Sequence, residues 1–130
     1  MLLPTTLSMA AAAAIINIWL SLRIGKVRHA AGINHGDGGN DLLMRRMRAQ
    51  SNFIENTPLA LILIAAIEVA GKGGVWLAPV AGIFILGRVA HGLGMDNVKS
   101  NPLRTLGAVA TMLVSLGLAI VAVLITLGVL

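Results

Sequence analysis

Two stretches of this chain run uncharged for longer than a bilayer is thick. Met1–Leu22 and Thr105–Leu130 contain no Asp, Glu, Lys or Arg. Each exceeds the roughly 20 residues, at about 1.5 Å per residue, that cross a hydrocarbon core of about 30 Å. Between them, Ala49–Ala70 is apolar apart from Glu55, Glu68 and a few polar residues near its start. Gly73–Gly87 is uncharged but short, and must extend through Arg88 towards Met95 to span. The pattern predicts an all-α membrane protein, a bundle of four transmembrane helices over about 4–28, 42–71, 74–95 and 102–129. The first span lacks a basic leading segment, and its polar boundary at Arg23 follows a long apolar stretch. It reads as a membrane helix rather than a cleaved signal peptide.

Composition narrows the function classes. Charged residues make up 12% of the 130, about half the share in a soluble domain. A chain that is 57% hydrophobic cannot be a disordered one. There is no cysteine, which removes disulfide frameworks, thiolate metal sites and a protein thiol nucleophile. The net charge of +5 could suggest nucleic acid, but aromatics are 3% and tyrosine is absent. Platforms for stacking bases are therefore missing, and no nucleic-acid partner is expected. No second His, Asp or Glu stands at ligand spacing from His91, so no metal is expected.

The basic excess instead marks topology. Arg23, Lys26, Arg28, Arg45, Arg46 and Arg48 cluster around the first connection, and Arg88, Lys99 and Arg104 around the third. The second turn, Gly71-Lys72-Gly73-Gly74, holds one lysine. The positive-inside rule places connections one and three in the cytoplasm and both termini outside. The first connection is a glycine-rich loop, with Asp41 as the expected N-cap of the second helix. Asn101 and Pro102 are suited to cap and open the fourth. The run Ala10–Ala14 offers a small-residue face for close helix approach.

Charges that enter a span are costly, and so informative. On the second helix, Arg48, Asn52 and Glu55 recur at i, i+4 and i+7, on one face, with Arg45 a turn earlier. Arg88 and His91 stand at i, i+3 on the third helix. Arg104 and Thr105 open the fourth, and Arg28 closes the first. Each helix thus brings an arginine to one end of the bundle. Glu55 and Asp96 supply too little negative charge to balance them. The arithmetic points to an anionic ligand, and the five-donor fork of arginine suits a carboxylate. The same residues could instead form an interhelical hydrogen-bond network. Glu68 could snorkel outward or pair with Lys72. Pro58 could kink the second helix. Trp19 and Trp76 read as interfacial or packing aromatics.

These residues carry a resemblance. Arg48-Ala49-Gln50-Ser51-Asn52-Phe53-Ile54-Glu55-Asn56-Thr57-Pro58 resembles the signature R-A-x-x-N-x-x-E-x-x-P of the MAPEG family, the membrane-associated proteins of eicosanoid and glutathione metabolism. Gly87-Arg88-Val89-Ala90-His91 and Pro102-Leu103-Arg104-Thr105 match further family segments in the expected order. The resemblance covers nearly the whole chain, as a short bacterial-type member, and implies an inner-membrane location. It further implies a homotrimer that binds glutathione in a cytoplasm-facing cleft between subunits. By position, Arg48, Asn52 and Glu55 would hold the peptide and its charged ends. Arg28, Arg88 and His91 would add contacts from the cleft walls. Arg104, with Thr105 in place of a family serine, would face the sulfur. The implied activity is glutathione transfer to a lipophilic electrophile, or peroxide reduction, with substrate arriving through the lipid.

One position departs from the family pattern. Eukaryotic members usually carry a tyrosine where Met95 stands, and methionine supplies no hydroxyl. Ser51 also stands where some members carry another basic residue. A second reading is therefore a non-catalytic lipid-binding or scaffold member. A third, a small proton-coupled drug transporter, would use Glu55 to bind cations, although arginines surround it.

The charge bias makes a direct prediction. The cysteine-free background allows single-cysteine labelling with a membrane-impermeant maleimide in intact cells. Lys72→Cys should label in intact cells, and Gly36→Cys only after permeabilisation.

Overall fold

The computed structural model describes residues 1–130. Four helices follow in order: α1 (Pro4–Ala31), α2 (Asp41–Val69), α3 (Leu77–Gly94) and α4 (Pro102–Thr126). All four are long and apolar enough to cross a membrane. α3 starts three residues later than the expected 74, because Gly74–Trp76 complete the preceding turn. That turn is stapled by Trp76, whose Nε1 donates to the Lys72 carbonyl at 3.1 Å.

The helix ends explain the boundaries. α2 is capped by Asn40, whose side chain accepts from the Leu43 N–H at 2.9 Å. Asp41, the expected cap, is instead the first helical residue and pairs with Arg45 one turn on. The shift follows from spacing, since a cap must lie outside the helix to reach the third N–H. α4 is capped by Asn101, with Pro102 in its first turn, as the sequence predicts. Just past the end of α2, Gly71 takes φ 71°, a conformation glycine adopts without steric cost. Pro58 lies inside α2, which runs on through it as one helix.

The start of α1 is satisfied from a distance. Leu3 precedes the helix and has no side chain able to cap it. Glu68, at the far end of α2, does so instead. Its carboxylate accepts from the N–H groups of Thr5 and Thr6 at 3.0 and 2.9 Å, and from the Thr6 hydroxyl at 2.7 Å. A carboxylate there also complements the positive end of the helix dipole. Glu68 therefore neither snorkels away nor pairs with Lys72.

The helices pack as a bundle in which α2 and α3 each touch the other three. α1 and α4 do not pack on each other. One apolar cluster, centred on Phe84, Ile64, Ile67 and Leu118, fills the end away from the arginines. A second joins α1 to α2 through Ala13, Ile16, Leu20, Ala49 and Phe53. Of the run Ala10–Ala14, Ala13 is buried and joins this cluster, while Ala11 and Ala14 are exposed. The α3–α4 seam depends on glycine. A Cβ on Gly107 would lie 2.7 Å from the backbone nitrogen and the Cβ of His91. A Cβ on Gly94 would lie 2.7 Å from the Arg104 Cα. Outward, Leu7, Ile15 and Ile18 of α1 and Leu106, Met112 and Leu116 of α4 are exposed. In water such a surface would aggregate, whereas in a bilayer it faces lipid. The chain is a multi-pass integral membrane protein.

Removing the Glu68 carboxylate leaves two N–H groups unmet at a membrane boundary. Glu68→Ala should lower the thermal unfolding midpoint in detergent and speed proteolysis before Met9, while Lys72→Ala should do neither.

Candidate functional site

The polar residues of the arginine-rich end divide into three groups. The first is a buried cluster. Arg88 is 2% exposed, although its side chain is cationic. Its guanidinium donates to Thr111 Oγ1 at 3.0 Å and to Asn52 Oδ1 at 2.5 Å, and lies 3.4 Å from His91 Nδ1. Arg88 Nε is buried without a partner. No carboxylate pairs with it, so the cation is held by two neutral oxygens and a ring nitrogen. Thr111 can accept because its own hydroxyl proton goes to the Gly107 carbonyl at 2.8 Å. The glycine seam brings α4 near enough for that chain of bonds to close.

Arg88 also settles the orientation of Asn52. Arginine only donates, so the Asn52 amide must turn its oxygen inward. Its NH₂ group is then left without a protein acceptor, on the outer side of the α2–α3 seam.

The second group is a knot around Asp96, just past α3. Arg23 and Arg46 both form ion pairs with its carboxylate, the latter at 3.1 Å. Arg45 donates to its backbone carbonyl at 3.2 Å. Arg46 also donates to the Arg23 carbonyl at 3.0 Å. Arg23 stacks over Trp19, 4.7 Å from the ring centroid. One carboxylate thus ties three helices together and absorbs cations that the sequence alone leaves unpaired.

The third group is unpartnered. Arg48 and Glu55 are exposed on one face of α2, and neither has a hydrogen bond or ion pair. Glu55 lies 14 residues into α2, roughly 20 Å along its axis, well within the span. A carboxylate at that depth cannot face hydrocarbon without a large cost. Arg104 is likewise exposed, at the first turn of α4, and its guanidinium has no partner. Thr105 beside it is exposed, 3.4 Å from the Ser100 hydroxyl.

The model of the MAPEG family matches residues 6–124. The chain belongs to the MAPEG family. It is similar to the inner membrane protein YecN of Escherichia coli, strain K12, with 29% identity over 85 residues. The aligned part is 65% of this chain and 64% of that relative. YecN of a second strain, O6:H1, matches to the same extent. The chain thus spans about 64% of the length of the curated relatives it matches.

Within this MAPEG chain the residues singled out by sequence do not form one continuous ladder. Asn52, Arg88 and His91 meet in the buried cluster. Arg48, Glu55, Arg104 and Thr105 are exposed. Arg28 turns to the first connection, where it donates to the Gly36 carbonyl at 2.7 Å, and 3.5 Å from the Met47 sulfur. Thr111 escaped sequence analysis, since a lone hydroxyl in an apolar helix carries little signal. The usable hint was its place one turn after Gly107, the glycine that packs against Gly87 and His91.

Loss of the Thr111 oxygen strands a buried guanidinium proton. Thr111→Val should destabilise the protein by about 1–3 kcal/mol. Thr111→Ser should restore most of that, as read by unfolding in detergent.

Proposed function

We propose that the chain assembles as a homotrimer and binds glutathione in clefts between subunits, on the cytoplasmic side, activating the thiol towards lipophilic electrophiles or hydroperoxides. The observation that carries this reading is the unpartnered pair Arg48 and Glu55 on a membrane-embedded face. Two opposite charges, exposed in a single chain and inadmissible in lipid, call for a polar cover. A neighbouring subunit with a zwitterionic guest between supplies it.

Glutathione suits the residues by charge. It has two carboxylates, one ammonium and one thiol. Arg48 and Arg104 offer free guanidinium groups for anions, and Glu55 offers a free carboxylate for the ammonium. The Asn52 NH₂, turned outward by Arg88, offers a donor to a peptide carbonyl or carboxylate. Arg88 is buried and does not touch the guest; it acts by setting that amide. Buried His91 likewise stays behind the cleft wall. Arg28 can reach the cleft of a neighbour only by releasing the loop carbonyls.

The chemistry rests on Arg104. A free thiol titrates near pH 8.5 and is mostly protonated at neutral pH. A guanidinium beside the sulfur favours the thiolate, which is the nucleophile. The first turn of α4 adds the positive end of a helix dipole. Thr105 can donate a hydroxyl proton to the same sulfur. The thiolate then attacks the electrophilic carbon and displaces its leaving group. No protein cysteine is needed.

Met95 favours a second reading. It packs against the α1–α2 apolar cluster, and no hydroxyl occupies its place. A non-catalytic lipid-binding member would keep the cleft and lack the thiolate.

Calorimetric titration of glutathione into the purified assembly separates the two. Wild type should bind, and Arg48→Ala and Glu55→Ala should each weaken binding at least about tenfold, the loss of a charged hydrogen bond. Arg104→Ala should retain binding while losing the ultraviolet absorbance of the thiolate. Absence of binding heat in wild type, with retained lipid, would favour the second reading.

A further inference from the structure

We infer that the groove between α1 and α2 at the arginine-rich end is a binding site for a single anionic phospholipid. It is a cavity of about 400 Å³, with Lys26, Val27 and Ala30 on one wall and Asn40, Leu42 and Arg46 on the other. It is separate from the unpartnered α2 face. At about 100° per residue, Leu42 and Arg46 point to nearly the opposite side of α2 from Arg48 and Glu55.

Depth is the first argument. α1 has 28 residues and is about 42 Å long, which exceeds a hydrocarbon core of about 30 Å. Its uncharged part ends at Leu22, so Arg23–Ala31 lie at the level of the lipid headgroups. The first turns of α2 lie beside them. The groove mouth therefore sits where phosphates sit.

Charge is the second. Lys26 and Arg46 line the groove and Arg23 lies beside it, its carbonyl accepting from Arg46, and Asp96 is the one carboxylate that pairs with any of the three. Lys26 is exposed and has no hydrogen bond or ion pair. Arg46 uses its donors on Asp96 and Arg23 but keeps further N–H groups free. The excess is positive, and a phosphodiester would offset it.

Shape is the third. Val27, Ala30 and Leu42 make the groove wall apolar, which suits a glycerol backbone and the start of an acyl chain. Below Lys26, towards the bilayer centre, Leu22, Ile18 and Ile15 are exposed on the same side of α1. They form an apolar track one to three turns long on which a chain can lie. A small soluble anion would use the cations and leave this track empty.

The test is native mass spectrometry of the full-length protein in detergent, titrated with phosphatidylglycerol or phosphatidylcholine. One phosphatidylglycerol per chain should bind, about tenfold tighter than phosphatidylcholine. Lys26→Glu should lower that affinity about tenfold or more, and Ala30→Trp should abolish it by filling the groove. Both positions are exposed, so unchanged unfolding midpoints should accompany the loss. Lys99→Glu, a basic residue outside the groove, should leave binding intact. Equal affinity for the two lipids, equal loss in Lys26→Glu and Lys99→Glu, or full displacement by soluble glycerol phosphate would overturn the proposal.

Discussion

Hydrocarbon offers no hydrogen bonds, so each polar group in these spans must be met by another part of the chain or by a partner. That constraint organises this protein more than apolar burial does. Lipid tails are as apolar as leucine, and the greasy faces gain little by meeting each other. What holds the helices in register is a set of polar anchors spaced along the bundle. Glu68 ties α2 to the start of α1 at one end. Asp96 ties α1, α2 and α3 at the other. Between them, Arg88 joins α2, α3 and α4 through Asn52 and Thr111.

The buried guanidinium shows how tightly these anchors are coupled. Arg88 has no carboxylate, so its stability rests on two neutral oxygens and a ring nitrogen placed together. Thr111 can serve only because Gly107 lets α4 approach α3 at backbone distance. A side chain on Gly107 would strike His91 and push the hydroxyl away. Close packing is thus the means by which a charge is made tolerable. The same contact turns Asn52 outward as a donor, so a structural bond in the interior sets the polarity of an exterior face. Where the anchors are complete, the chain is simply held together. Where they are not, at Arg48, Glu55 and Arg104, the single chain leaves charge for something else to meet.

Much of this was legible in the residue pattern. Uncharged runs marked the spans, and family signatures marked the polar stripe on α2. Asn101 and Pro102 announced the start of α4. The stripe is less uniform than its spacing suggests. Arg48, Asn52 and Glu55 share a face at helical spacing, yet a rotation of some tens of degrees around the axis separates them. That is enough to bring Asn52 into the α2–α3 seam while its neighbours remain exposed. Asp41 and Asn40 differ by one residue, and only the helix geometry decides which is the cap.

Bilayer thickness and the cost of charge within it are local quantities, so the sequence by itself determined the number of spans, their order and which residues had to be accounted for. Partners are another matter. Glu68 meets Thr5 and Thr6 more than sixty residues away, and Asp96 gathers arginines from two other helices. Arg88 finds its oxygens on α2 and α4. Lys72, a near neighbour of Glu68 in the chain, was the obvious candidate and was not chosen. Such pairings depend on how close helices approach and how each is rotated. Those are set by glycines and small side chains acting across the bundle, and only the tertiary structure could decide them.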